Sequence, residues 1–272
     1  MLLIHDLDLF THGSQLRVDA HLHRLLTGGW RALSELRASG LIRAIGAGLN
    51  DAGTILPLLD ATDLDFILLA MRYTLLEHDT LDVELPRCAE RGVGMVIGGV
   101  FNSGITATGA VPGAYYNYTP ATAEIIQRVG RIEAICRRHN VELPAAALQF
   151  PLGHPSVAAV IPGALSAKQV ERNLAHFRQP IPAELWAELK AEKLIRGCAH
   201  AGLSRRCPIF SHIFERLRQV GDQVFDVLDA DRDPDHVVAD AHGVALLERD
   251  LLVGRGRRVD HQGLRVPDVG EV

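Results

Sequence analysis

The sequence predicts an α/β protein whose core is a parallel sheet. Three observations carry that expectation. Solid apolar runs of strand length alternate along the chain with amphipathic stretches of helical spacing. The connections between them are short, which suits strands joined by crossover helices. Five such strands fall before residue 165. A doubly wound sheet accommodates that count, and so does a segment of an eight-stranded barrel.

The first strand is read over 2–10, from Leu2, Leu3 and Ile4 through His5 to Leu7, Leu9 and Phe10. A loop containing Gly13, Gly28 and Gly29 follows. Trp30, Leu33, Leu36 and Arg37 then lie at helical spacing, with Gly40 where a C-terminal cap belongs. The second strand is 41–49, and 54–62 is a short helix. The run 65–73 is apolar almost throughout, as expected of a strand covered on both faces. Residues 80–92 read as a helix closed by Gly92, and 93–101 as the fourth strand. A loop rich in Gly, Pro and Tyr runs from Asn102 to Pro120, ahead of an amphipathic helix over 121–140. The stretch AAALQFPLGH reads as a lead into the fifth strand, 157–163, and helices follow over 166–177 and 183–194.

Past about residue 197 the text changes. It becomes rich in Val, Asp, Arg, Gly and His, and helical periodicity survives only near IFERLRQVGDQVFDVL. Two origins fit: a small appendage, or GC-rich DNA translated out of the ancestral frame. Both predict weak packing. The expected division is therefore a domain over 1–196 and an irregular tail over 197–272.

Composition narrows the function. Of 272 residues, 47% are hydrophobic and 22% charged, which suits a large buried core and excludes a disordered chain. A net charge of −5 and a pI near 6.2 lack the basic footprint of a nucleic-acid binder. Charges break every apolar run short of the ~18 residues a membrane span needs. The early apolar run holds His5 and Asp6, unlike a secretory signal. Cys88, Cys136, Cys198 and Cys207 show no CxxC spacing, as expected of reduced thiols in a cytoplasmic protein. Lys168, Lys190 and Lys193 are the only lysines; the remaining cations are arginine, a bias that GC-rich coding explains.

Four segments carry candidate chemistry. VDAHLH (18–23) offers an HxH pair; at a strand end His21 and His23 would both reach one divalent ion, the start of a metal-dependent barrel hydrolase. The polar text before it favours a solvated loop instead. Gly46-Ala47-Gly48 follows a strand, but the next glycine is Gly53, too late for a dinucleotide fingerprint. IPGALSAKQVERN (161–173) is a strand ending in Pro162-Gly163 before a helix with Ser166 as N-cap. Free N–H groups at such a helix start suit a phosphate. His5 ends the first strand and is followed by Asp6; alone, a buried strand histidine is more often a core residue.

Taken in order, these pieces resemble the aldo-keto reductase family over residues 1 to about 195. LLIHDLD is similar to that family's fourth barrel strand, IRAIGAGLND to its fifth, and FILLAMRYTLL to its sixth. GMVIGGVFNSGI is similar to the seventh, and AALQFPLGHPSVAAVIPGALSAKQVERNLAHF to the eighth with its cofactor-phosphate helix. RYTLLE, GGVFNSGI and ALQFPL look like its sugar-oxidising branch.

The resemblance implies a partial (β/α)8 TIM barrel, strands four to eight, lacking the first three. It implies hydride transfer between a nicotinamide cofactor and a sugar, here oxidation of an L-fucose- or D-arabinose-like aldose at C1 to the lactone. NAD is the expected cofactor, with NADP the alternative. By that resemblance His5 is the catalytic histidine that orients the substrate oxygen. Asn50 meets the nicotinamide amide. Phe101, Asn102, Ser103 and Gly104 form the loop against the cofactor, and Gly163, Ala164, Gln169 and Asn173 take its phosphate and adenine. The family's catalytic aspartate, tyrosine and lysine lie on the strands that would precede His5, so no residue here takes those roles. The chain alone is expected to be inactive. Ala70 stands where much of the family has glutamine, Phe101 where tyrosine is common, and Gln169 where many NADP-using relatives place arginine. The alternative class is a non-catalytic partial-barrel module that pairs with another chain through its edges. No metal, nucleic-acid or membrane partner is expected beyond the sugar.

Overall fold

In the computed structural model, the described residues are 1–197 and the two-residue strand Leu247–Glu248. The expected tail over 197–272 otherwise lies outside them. In chain order the elements are β1 (Leu2–His5), α1 (Leu9–His12), α2 (Gln15–Arg24), α3 (Trp30–Ala38), β2 (Ile45–Leu49), α4 (Ile55–Ala61) and β3 (Phe66–Ala70). Then come α5 (Glu84–Arg91), β4 (Gly94–Gly98), α6 (Ile105–Thr108), the small hairpin β5 (Tyr115–Tyr116) and β6 (Thr119–Pro120), and α7 (Ala123–Arg138). The series continues with α8 (Leu143–Gln149), β7 (Val157–Ile161), α9 (Ala167–Arg178), α10 (Ala183–Ala191) and β8 (Leu247–Glu248).

Strands β1, β2, β3, β4 and β7 lie side by side in chain order and pair in parallel; β8 adds antiparallel to β7. The order never doubles back, so there is no topological switch point of the kind a doubly wound sheet requires. That decides between the two architectures left open by the strand count. The parallel strands are the segment of a (β/α)8 barrel.

Residue alternation sorts the sheet into two faces. Ile45, Ala47, Leu49, Ile67, Leu69, Met95 and Ile97 point outward into the main core, among Leu58, Leu59, Leu85, Val129, Ile132 and Leu148 of the helices. Ala44, Phe66, Val96 and Ala159 form a smaller inner cluster. Glycines make room there. Gly46 pairs with Phe66, whose ring lies where a side chain at 46 would go; a Cβ would sit 2.5 Å from Phe66 Cζ.

The loop expected from Asn102 to Pro120 carries the short helix α6 and the hairpin β5–β6, and three further segments differ from the sequence expectation. The strand read over 2–10 stops at His5. Asp6 turns left-handed (φ 57°), and the buried Asp8 carboxylate accepts the Thr11 N–H at 2.8 Å and the Asn50 N–H at 2.5 Å. That carboxylate caps α1 and ends the extended run. The loop expected over 11–29 is helical, and His21 and His23 lie on α2. On a helix, residues two apart face different sides, so the strand-end geometry behind the metal-hydrolase reading is lost. Among the described residues no three His, Cys, Asp or Glu side chains gather at metal-binding distance. Finally, LPAAALQ is not a lead-in but the helix α8, with Leu143, Ala145, Ala146, Ala147 and Leu148 buried. Its small side chains let it pass close beneath the surrounding helices.

No described helix is long and apolar enough to cross a membrane. Cys88 and Cys136 are buried free thiols, and burial pushes both up to about 12, so they pack as apolar residues.

Candidate active site

The carboxyl ends of the strands collect the backbone irregularities. Asp6 follows β1, Met71 follows β3 and Gly99 follows β4, all with positive φ; Asn102, Ser103 and Gly104 follow a few residues on. Non-glycine residues in this region are uncommon and cluster where function over-determines the backbone. In a barrel this end carries the active site.

The first centre is polar and built on β1 and β2. His5 pairs with Gly48 across the strands and so stands on the inner face. A Cβ at 48 would lie 3.1 Å from His5 Cδ2, so glycine gives the imidazole its place. His5 Nδ1 meets Asp6 Oδ2 at 3.0 Å, and the side chain is 70% exposed, which leaves Nε2 available to a ligand oxygen. Asn50 Nδ2 donates to the other Asp6 oxygen at 2.9 Å. Arg72 fixes this end of β2: its Nε donates to the Asn50 carbonyl at 2.7 Å and its Nη2 to Asn117 Oδ1 at 2.9 Å.

The second centre is a cleft of about 500 Å³ between the loop after β4 and the start of α9. Phe101, Asn102, Ser103 and Gly104 line one side, and Gly163, Ala164, Gln169 and Asn173 the other. Asn102 is 1% exposed, and its Oδ1 has no hydrogen-bond partner among the described residues. Such an orphaned acceptor costs free energy until a ligand donor meets it. A Cβ at Gly104 or Gly163 would meet nothing within 4 Å, so the walls are open to a close approach. Ser166 caps α9, its side chain accepting from the Gln169 N–H at 3.3 Å. Asn173 Nδ2 donates to the Gly163 carbonyl at 3.3 Å, and Gln169 Oε1 accepts from the Leu165 N–H at 2.5 Å. These two bonds hold the strand-to-helix turn in shape. Orphaned acceptor, open glycine walls and a helix start together fit an extended, phosphate-bearing cofactor.

The structure thus places eight of the nine expected cofactor residues along one cleft. Asn50 lies in the other centre, with its amide on Asp6. Among the cleft residues that escaped the sequence reading, Arg172 and His176 are the titratable ones. Gln169, Arg172, Asn173 and His176 recur at i, i+3, i+4 and i+7, the signature of one helix face, and that periodicity would have found them. Lys168, one position before Gln169, does not line the cleft. His176 is 7% exposed, and burial pulls its pKa down.

The fold and the site together define a segment of a (β/α)8 barrel with its polar centre and cleft at the carboxyl ends of the strands. Residues 1–193 match the aldo/keto reductase family, and the chain belongs to that family of oxidoreductases. It is 42% identical to pyridoxal 4-dehydrogenase of Microbacterium luteolum over 72% of this chain and 57% of that protein. It is 41% identical to D-threo-aldose 1-dehydrogenase of a Pseudomonas species over 62% of this chain and 52% of that one. The chain therefore spans little more than half the length of these relatives. Among solved structures, an aldo-keto reductase from Bacillus halodurans is 24% identical, with a TM-score of 0.49, over 65% of this chain and 57% of that chain.

Proposed function

We propose that this chain is the cofactor-holding part of an NAD(P)-dependent aldose 1-dehydrogenase. The cleft at the start of α9 carries the reading, because its orphaned Asn102 acceptor and open glycine walls suit a dinucleotide. When bound, the nicotinamide supplies the hydride acceptor. Ser166-capped α9 and the exposed Arg172 would hold the cofactor's phosphate. Phe101 would offer the cofactor an aromatic face, and Asn102 Oδ1 would accept a hydrogen bond from it. His5, steered by Asp6, hydrogen-bonds the sugar's C1 oxygen through Nε2 and orients it. The names of the two dehydrogenase relatives support alcohol oxidation, and the aldose enzyme supports a sugar such as L-fucose or D-arabinose.

Oxidation also needs a base for the alcohol proton. The side-chain bond of His5 is to Asp6, and no tyrosine or lysine bonds it among the described residues. The purified chain is therefore expected to bind NAD(P)+ yet turn over L-fucose and D-arabinose little or not at all. Arg172 sits one helical turn from Gln169, so a cation is available to a 2′-phosphate even without arginine at 169; NAD remains the first choice and NADP the second. Titration calorimetry with each cofactor, with a coupled absorbance assay on both sugars, tests this. Saturable cofactor binding, weakened about tenfold in Arg172→Ala, is expected. Absence of binding overturns the cofactor assignment, and brisk turnover overturns the inactivity.

The edge of the sheet favours a second reading, a partial-barrel assembly module. β1 has no partner on its outer side among the described residues, and Met1, Leu2 and Leu3 are exposed there. Such an edge invites another strand. Light scattering that shows a discrete dimer, dispersed by Leu3→Lys, would support it; a monomer at all concentrations would remove it.

A further inference from the structure

A pocket of about 460 Å³ lies apart from both centres and shares no residue with either. It opens between the loop after β3, the middle of α7 and the turn that follows α10. Arg128, Lys190, Lys193 and Arg196 line it, against the carboxylates of Glu77 and Asp79. Four cations to two anions leave the walls net positive. Arg196 is engaged with Asp79 at 2.9 Å and Asp82 at 2.6 Å. Arg128 is different: its guanidinium donates to the Leu194 carbonyl at 3.1 Å, and no salt bridge joins it to a carboxylate among the described residues. Burial pulls its pKa down, which marks it as a charge held partly out of water.

His78 adds an independent observation. It lines the same pocket, is 6% exposed, and its Nε2 has no hydrogen-bond partner among the described residues. A backbone hydrogen bond to Leu75 engages the ring. With Nε2 unpartnered, that bond is made by Nδ1–H, which fixes the tautomer and leaves Nε2 as a bare acceptor. Burial and the nearby Arg128 and Arg196 push His78 down to about 4, so it stays neutral at ordinary pH. The site therefore offers cations for an oxyanion and one buried acceptor for a hydroxyl.

We propose that this pocket binds a small hydroxylated oxyanion, its phosphate or carboxylate held by Arg128 and Lys193 and one hydroxyl donating to His78 Nε2. Both a sugar phosphate and a sugar acid carry that chemistry. This inference stands apart from the dehydrogenase reading and survives or fails separately from it.

The test is calorimetric titration of the full chain with glucose 6-phosphate, gluconate, inorganic sulfate and glucose, in the absence of nicotinamide cofactor. Glucose 6-phosphate or gluconate is expected to saturate one site, and which of them binds tighter identifies phosphate or carboxylate as the natural group. Sulfate, without a proton to donate, should bind at least about tenfold more weakly, and uncharged glucose not at all. Lys193 is exposed, so Lys193→Glu leaves the fold intact and should cost about tenfold in affinity or more. Arg128→Gln should do the same, and unchanged melting of Lys193→Glu guards against a folding explanation. Failure of all four probes to bind, or equal binding of sulfate and the hydroxylated anions, or Lys193→Glu without effect, would each overturn the assignment. Cofactor titration of the same samples keeps the outcome separate from that of the α9 cleft.

Discussion

On the helix side of the sheet, β2, β3 and β4 present Ile45, Leu49, Ile67, Leu69, Met95 and Ile97, each 2% exposed or less. On the inner side the same strands present Gly46, Gly48, Phe66, Leu68, Gly94, Val96 and Gly98, and Leu68 is only half-buried. The helix side is a finished core, filled by branched side chains against α4, α5, α7 and α8. The inner side is built of small residues around one ring, because a barrel interior is narrow. Stability should therefore reside in the outer layer. The inner layer does something else: it carries His5 on the face that points toward the site.

The largest effect should come from the outer core. Phe150 is fully buried and packs against Tyr73 at 5.4 Å, His78 at 5.2 Å and Trp186 at 6.1 Å between ring centroids. Phe150→Ala should cost about 3–5 kcal/mol in urea unfolding. A loss no greater than that of an inner-face truncation would break the contrast.

Acid should act on the same layer. Burial pushes His78 and His154 down to about 4 from an ordinary 6.5. Between those values the unfolded chain binds more protons than the folded one. Stability is then full above about pH 6.5 and falls as pH drops toward 4, by up to about 3 kcal/mol per histidine. Unfolding free energy measured across that window checks this, and His154→Gln should flatten the slope.

The inner face responds through overpacking. Gly46→Ala drives a methyl into the Phe66 ring and should cost about 1–3 kcal/mol. Phe66→Leu in the same chain should return part of that loss, since the two residues share one space. Independent, additive effects would show that Phe66 does not occupy the room Gly46 leaves. Smallest of all, Leu68→Ala at a half-buried inner position should cost about 1 kcal/mol or less. A cost equal to that of Leu69→Ala, one residue along and fully buried, would erase the distinction between the faces.

The sequence carried the sheet because its strands are solid apolar runs with strand-like length. Leu41 to Leu49 and Asp65 to Tyr73 announce themselves, although each ordered strand is shorter than its run. The apolar residues beyond the strand end, Met71 and Tyr73 among them, are buried by loops and not by the ladder. Residues 11–29 were not legible as helix because Gly13 and Ser14 read as loop residues when they flank α1 and α2, and Asp8, read as part of the strand, caps α1. LPAAALQ was missed because a helix buried on most sides has no amphipathic stripe to detect. At the site, IPGALSAKQVERN was legible through its strand, turn and N-cap. Arg172 was not, since only the helical spacing from Gln169 places it on the cleft face.

The central claim is that the strand-end cleft, framed by β4, β7 and α9, holds the nicotinamide cofactor in this chain by itself. A thermal melt with and without millimolar NAD+ tests it most directly, because a ligand that binds only the folded state raises the melting point by mass action. A single cooperative transition shifted upward by NAD+, with a smaller shift in Arg172→Ala, is the predicted result. A cooperative transition that neither NAD+ nor NADP+ moves would contradict it.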